Sequence, residues 1–176
     1  MTELPNTVEA GGEPFTEAQV IELEKMIGLA LPSDYREIIL QYGSVFPKED
    51  DAVVEIDWRR IDGEPLSKED REEFETLYLF YGSWSEKNIR ETYERIHLHD
   101  GRQPVVLPKQ FLPIGHDTGG TLYLLDLSVT GGGSVWAWGK NLNDPWLQGI
   151  NLYIGFVAYS FTDLIANRLK PVPEDW

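Results

Sequence analysis

The 176-residue sequence contains no cysteine, and its fifteen lysines and arginines are outnumbered by thirty aspartates and glutamates. The absence of cysteine excludes disulfides, thiolate nucleophiles and Cys-ligated zinc within the chain, as is typical of proteins of reducing compartments. No apolar run approaches the roughly 20 residues that a membrane-spanning helix requires, and the first residues lack the basic start and the apolar core of a secretory signal. We therefore expect a cytoplasmic protein.

The chain is long enough to build one sizeable hydrophobic core. Apolar residues make up 41% of the composition and charged residues 26%, a balance typical of globular proteins. We predict a single domain over residues 15–170, preceded by a flexible N-terminal segment at 1–14 and followed by a tail at 171–176. Residues 59–100 are predicted to form a helical insertion within that domain.

The negative charge is concentrated in one part of the chain. The net charge is −15, and residues 49–75 alone hold twelve acidic against four basic side chains, a net charge of −8. Such a field repels phosphate backbones and anionic membranes, so we expect neither nucleic-acid nor lipid binding, whereas a basic protein would be attracted. A run of like charge is often only a solvated face. The alternative is a surface that binds a cationic protein.

Helix ends are marked by capping residues in the first part of the chain. Thr16 and Gln19 form a capping-box pattern that begins a helix, and Gly28 is a suitable end for it. Pro32 begins a second helix, whose apolar residues recur at helical spacing until Gly43.

Three further helices are predicted by similar signals. Ser67 begins a helix that we expect to end at Gly82, and Ser85 begins another within the insertion. Ser160, with Asp163 three residues later, caps a closing helix.

Short apolar or alternating segments predict the strands. Residues 52–58 alternate in a way typical of a half-exposed strand, and residues 122–127 and 135–138 form a pair joined by a glycine-rich hairpin. Residues 105–107 form a further short strand, and residues 111–114 lead into a glycine-rich turn at 115–120. Two helices, a sheet with a helical insertion and a closing helix together indicate an α+β fold with a central sheet.

The sequence holds little that points to catalysis. The glycine triplet that precedes Lys140 fails as a phosphate-binding loop, because its spacing is wrong and Asn141 replaces the Ser or Thr. We expect His97 and His99 to be exposed to solvent, since two imidazoles on a loop make a poor metal site without a third ligand. We predict no catalytic residue, no metal and no cofactor.

Tryptophan and tyrosine are numerous, with six and eight residues respectively. Trp136 and Trp138 lie on one face of their predicted strand, and Val135 and Ala137 lie on the other. One of these pairs must face the core. Exposed aromatic rings beside acidic side chains would be suitable anchors for a basic partner.

Four separated segments carry recognisable motifs. They are Leu-Pro-Ser-Asp-Tyr-Arg at 31–36, which runs on to Gln-Tyr-Gly at 41–43; Leu-Pro-Ile-Gly-His-Asp-Thr-Gly-Gly at 112–120, which runs on to Asp126; Gly-Ser-Val-Trp-Ala-Trp at 133–138; and Ala-Tyr-Ser-Phe-Thr-Asp-Leu-Ile at 158–165. In this order and spacing they resemble the SMI1/KNR4 (SUKH) superfamily. The sequence departs from the family pattern at Tyr42, Thr121 and Gly139-Lys140, and residues 59–100 carry no motif of the family.

The resemblance implies an α+β fold with a central, mainly antiparallel sheet and no turnover chemistry. Many bacterial members are immunity proteins that neutralise polymorphic toxin domains, whereas fungal members act as signalling scaffolds. We expect most motif residues to be structural. Asp117, for example, is expected to cap its glycine-rich turn through backbone N–H groups.

The sequence therefore predicts a non-enzymatic immunity protein of the toxin–antitoxin kind, which binds a basic toxin and occludes its active surface. An intracellular scaffold or regulatory adaptor without a toxin partner is the main alternative, and a small hydrolase with paired acids is a third. The residues predicted to contact the partner are the acidic side chains of the charged stretch and two neighbouring tryptophans: Glu49, Asp50, Asp51, Glu55, Asp57, Trp58, Glu69, Asp70, Glu72, Glu73 and Trp84.

Overall fold

The computed structural model describes residues 3–48, 52–60, 63–68, 77–97, 107–117, 119–138 and 153–174. Within these residues, helices and antiparallel strands are mixed, which confirms the predicted α+β class. The strands are β1 (Val8–Ala10), β2 (Val45–Pro47), β3 (Ala52–Glu55), β4 (Asp57–Arg60), β5 (Leu77–Leu79), β6 (Phe111–His116), β7 (Leu122–Asp126), β8 (Val135–Trp138), β9 (Tyr153–Ala158) and β10 (Lys170–Pro171).

The first two helices begin and end at the residues that the capping signals predict. Helix α1 covers Glu17–Ile27, and both hydrogen bonds of the capping box between Thr16 and Gln19 are present. Helix α2 covers Ser33–Tyr42. Helix α3 covers Glu86–His97, and the short helix α4, Phe161–Asp163, continues as a π-helical turn over Leu164–Arg168.

The principal sheet is antiparallel, with the strand order β4-β9-β8-β7-β6. Its inner face carries Tyr123 and Leu125 of β7 beside Val135 and Ala137 of β8, all fully buried in the main core with α1, α2 and α4. The opposite face is less completely covered. A smaller apolar cluster lies on it, formed by Ile96, Leu107, Phe111, Leu122, Leu124, Trp138 and Ile154.

Two smaller sheets flank the principal one. Strand β1 pairs with β2, and β3 lies between β10 and β5. The N-terminal segment is predicted to be flexible and without a strand, yet β1 is hydrogen-bonded to β2 and Val8 is buried. Strand β1 pairs with a segment that lies about 35 residues further along the chain, so no local sequence pattern predicts this strand.

Two predicted elements take a different form. The helix predicted over 67–82 is wrong at its end, because Leu77–Leu79 is a strand that pairs with β3; residues 69–76 lie outside the described part of the chain. The strand predicted at 52–58 is divided after Glu55, and its halves β3 and β4 join different sheets. The predicted strand at 105–107 lies outside the described residues, except for Leu107. Strand β9, which the sequence analysis missed, lies between β4 and β8.

Candidate protein-binding surface

Most of the predicted acidic contact residues lie outside the part of the chain that the structure describes. They are Glu49, Asp50, Asp51, Glu69, Asp70, Glu72 and Glu73. Four predicted contact residues are described, and the structure separates them into three different environments.

Glu55 and Asp57 are exposed, but each carboxylate is paired with a cation of the protein itself. Lys170 Nζ donates to Glu55 Oε1 at 2.9 Å, and this hydrogen bond and charge hold the pKa of Glu55 below its ordinary value. Arg59 Nη2 donates to Asp57 Oδ2 at 3.0 Å. The local field at both positions is therefore weaker than a count of carboxylates indicates.

Trp58 is a core residue, which corrects its predicted role as an exposed anchor. Only 7% of it is exposed, and its ring packs edge-to-face against Tyr78 at 5.5 Å between centroids. Trp58 pairs with Gly155 of β9, where a Cβ atom would come within 2.1 Å of Ile56 Cγ2. The missing side chain at Gly155 thus leaves the space that Ile56 and Trp58 fill.

Trp84 is half-buried beside the edge strand β6. Its backbone N–H donates to the carbonyl of Ile114 at 2.7 Å, and its indole N–H donates to Nδ1 of His116 at 2.9 Å. Because Nδ1 accepts this bond, the neutral His116 ring carries its proton on Nε2. Trp84 lies beside β6 and Asp57 lies on β4, at opposite edges of the principal sheet, while Glu55 lies on β3 of another sheet. The structure therefore does not bring Trp84 and Asp57 into one patch.

The structure instead places three aromatic rings in series along the less covered face of the principal sheet. Trp136 of β8 lies directly opposite Phe156 of β9, with 5.4 Å between ring centroids. Tyr159 follows β9 and lies 4.9 Å from Phe156. We call Trp136, Phe156 and Tyr159 the aromatic row. Tyr159 is 71% exposed, and the other two rings are half-buried.

Each end of the aromatic row carries an arginine and an aspartate. The guanidinium of Arg59 lies over the Trp136 ring, 5.0 Å from its centroid, and is bonded to Asp57. At the other end, Arg168 lies 5.6 Å from the Tyr159 centroid and donates to Asp163 at 3.0 Å.

The two aspartates differ in how firmly they are held. Asp163 accepts hydrogen bonds from the backbone of Tyr159 and from the side chains of Asn167 and Arg168. Partial burial acts to raise the pKa of Asp163, but these bonds outweigh it, so its pKa lies below the ordinary value. Asp57 is 75% exposed at its side chain.

The aromatic row has the chemistry of a protein-binding surface. Partly exposed Trp and Tyr rings and arginine side chains are the groups enriched at interfaces and at their energetic hot spots. Of this surface, Asp57 and Trp136 are indicated by the sequence, whereas Arg59, Phe156, Tyr159 and Arg168 are not. Tyr159 lay within a motif segment assigned a structural role, and nothing local marks it as exposed.

The structure also tests the predictions about the histidines and the glycine-rich turn. His97 is buried, not exposed as expected, and its Nε2 lies 3.2 Å from the Phe111 carbonyl; His99 lies outside the described residues. Asp117 accepts from the backbone N–H of Thr121 at 2.8 Å, as predicted for a turn cap.

Two kinds of site are not found in the part of the chain that the structure describes. No cluster of three or more His, Asp or Glu side chains could hold a metal ion there. Among the same residues, no helix has both the length and the apolar character needed to span a membrane.

The mixed fold, with its antiparallel principal sheet, is of the SMI1/KNR4-like kind. A model of the SMI1 / KNR4 family (SUKH-1) matches residues 14–167, so the chain belongs to this family. Members of the family are typically non-catalytic proteins of the immunity type.

Comparison with curated proteins finds a relative in Bacillus subtilis (strain 168), the SPbeta prophage-derived uncharacterized protein YokK. The two are 28% identical over 145 residues, which cover 79% of this chain and 70% of the relative. No solved structure gives a significant match.

Proposed function

We propose that this protein is an immunity protein that binds a cognate, basic toxin domain and neutralises it by covering its active surface. The proposal rests on family membership for the class of protein and on one structural observation for the mode of action. That observation is the aromatic row, an accessible series of rings on a sheet face. The prophage origin of the Bacillus relative agrees with a role in conflict between bacteria.

The acidic charge supplies the second part of the proposed action. A net charge of −15 attracts a basic partner over a distance of about one Debye length, roughly 8–10 Å at physiological salt, and raises the association rate. The rings of the aromatic row then bury apolar area and slow dissociation. In this proposal the charged stretch of residues 49–75 steers the partner, and the aromatic row holds it.

The first experiment asks whether a toxin partner exists. The gene immediately upstream is the candidate, and its C-terminal domain is expressed with and without this protein in a sensitive host. We expect the protein to restore growth and to co-purify with the toxin domain. Growth that is not restored, with no complex formed, would favour the adaptor alternative.

The second experiment asks which surface binds. The double variant Trp136→Ala with Tyr159→Ala should weaken binding of the toxin domain by at least about tenfold, mainly through faster dissociation. Val129→Ala is the matched control, because Val129 is fully exposed on the connection between β7 and β8 and lies outside the aromatic row. Equal affinity for both variants would remove the aromatic row from the proposal.

A third experiment measures the association and dissociation rates of the toxin domain separately, which distinguishes the role of the acidic stretch from that of the aromatic row. Charge reversal of Asp50, Asp51, Glu72 and Glu73 together should slow association at low salt and leave the dissociation rate nearly unchanged. If association at low salt were unaffected, the steering role of the acidic stretch would be refuted while the holding role remained.

A further inference from the structure

The end of the aromatic row at Arg59 has the composition of a binding site for a cationic side chain. Such a site needs a ring face and a carboxylate that can both reach the same charge. Trp136 provides the ring face and Asp57 provides the carboxylate, and Arg59 of the same protein contacts both. Strand pairing places Asp57 of β4 and Trp136 of β8 on opposite sides of Phe156, and the Arg59 side chain reaches across β9 to contact the Trp136 ring.

A shallow groove of about 500 Å³ adjoins this arrangement. It is lined by Asp57, Trp58 and Arg59 of β4 and by residues 63–66, of which Glu64 is acidic while Pro65 and Leu66 are apolar. An arginine or lysine has an apolar stem and a charged head, so it matches a groove lined by both apolar and acidic side chains.

In the free protein the guanidinium of Arg59 lies between Trp136 and Asp57 and is only weakly held there. The side chain of Arg59 is 49% exposed, and its ion pair with Asp57 is a surface pair between residues two apart on one strand. Surface ion pairs and exposed cation–π contacts each contribute little. Arg168 differs, because its partner Asp163 is fixed by further hydrogen bonds from Tyr159 and Asn167.

We infer that the ring face of Trp136, the carboxylate of Asp57 and the adjoining groove form a seat for an arginine or lysine of the partner, and that Arg59 occupies this seat until the partner displaces it. The inference deepens the proposed function and rests on it for the biological partner. A basic partner is the occupant that the net charge of −15 selects. Arg59 is thus a competitor of the partner and not a contact residue.

The inference predicts a gain of binding from the loss of a cation. Arg59→Gln empties the seat, so a fluorescent oligoarginine peptide should bind about threefold to tenfold more tightly than it binds the wild-type protein, as measured by fluorescence anisotropy. Lys87→Gln is the matched control, because Lys87 is exposed on α3 and its loss changes the net charge by the same amount. For this control we expect a change below about twofold, and less in higher salt.

A second substitution tests whether the gain arises in the seat. Adding Asp57→Asn to Arg59→Gln removes the carboxylate at an exposed position and should cancel the gain, whereas adding it to Lys87→Gln should change peptide binding much less. Equal binding by Arg59→Gln and Lys87→Gln would overturn the inference. Weaker binding by Arg59→Gln would overturn it as well, because Arg59 would then contact the ligand itself.

The growth assay distinguishes this inference from the proposed function. If the peptide results hold but the protein never restores growth with any toxin domain, the seat stands and the immunity function fails. If the protein restores growth while Arg59→Gln behaves like its control with the peptide and with the toxin, the function stands and the seat fails.

Discussion

Two fully buried tyrosines should respond in opposite directions to the loss of one oxygen atom. Tyr35 of α2 packs edge-to-face on Phe161 at 4.9 Å, and Tyr123 of β7 packs edge-to-face on Phe80 at 5.1 Å. Both are 0% exposed. The Tyr123 hydroxyl donates to the carbonyl of Leu79 at 2.8 Å, whereas the Tyr35 hydroxyl has no partner among the described residues.

The difference sets the sign of each substitution. A buried hydroxyl without a hydrogen bond costs about 1–3 kcal/mol, so Tyr35→Phe should raise the free energy of unfolding by about 1 kcal/mol after the small void is allowed for. Tyr123→Phe removes a hydrogen bond and leaves the Leu79 carbonyl unpaired, which should lower it by about 1–2 kcal/mol. The contacts of both rings with their phenylalanine partners are retained.

Urea unfolding followed by tryptophan fluorescence measures both effects. With an unchanged denaturant slope, the two midpoints should move in opposite directions, and the thermal midpoints by about 2–4 °C per kcal/mol. Destabilisation of Tyr35→Phe by 1 kcal/mol or more (about the net worth of a hydrogen bond) would refute the reasoning, because the hydroxyl would then have a favourable interaction that its surroundings do not indicate.

Three further predictions concern titration and the turns. Burial raises the pKa of Tyr35, so this tyrosine ionises first in the unfolded state and the free energy of unfolding should fall as pH rises above about 10. Urea midpoints measured across this pH range should fall less steeply for Tyr35→Phe than for the wild-type protein. Burial lowers the pKa of His97, so stability should fall as pH drops below about 6.5, and circular dichroism of His97→Gln should show a flatter profile. Gly120→Ala and Gly133→Ala share φ +85°, but a Cβ at Gly133 would meet Pro32 at 2.8 Å; Gly133→Ala should therefore lower the thermal midpoint more.

Local signals predicted the helix ends because the groups involved are neighbours in sequence. Thr16 and Gln19 exchange their capping bonds within one turn, so their identity and spacing contain the whole interaction. The same is true of Ser160, whose hydroxyl accepts from the backbone of Asp163 at 3.0 Å. Such elements can be predicted without knowing the fold.

Strands were predicted less completely because their pairing is not local. Leu77–Leu79 has apolar residues that fit a helix as well as a strand, and only β3, which lies more than 20 residues earlier, determines the outcome. Strand β9 is nearly continuous in apolar residues because it lies between two others, and this removes the alternation that would have marked it as a strand.

The candidate surface shows why a sequence can contain the right residues without indicating the site. Alternation along β4 correctly places Asp57 on the opposite face from Trp58, and alternation along β8 separates Trp136 from Ala137. Neither pattern predicts that Asp57 of β4 and Trp136 of β8 both lie opposite Phe156 of β9. That register depends on β9, and a shift of one residue would turn Phe156 toward the core.

The net charge of the protein can be predicted from its sequence, but the local charge at a given surface position cannot. The net charge of −15 follows from composition, but Lys170 pairs with Glu55 and Arg59 pairs with Asp57, so two carboxylates expected to face a partner are already neutralised locally. Lys170 lies more than 100 residues after Glu55 in the sequence, so their ion pair could not be predicted from the acidic stretch alone. The number of carboxylates in a segment is therefore a poor guide to the contact surface of this protein. A better guide is a ring and a carboxylate that share a weakly held cation, as Trp136 and Asp57 share Arg59.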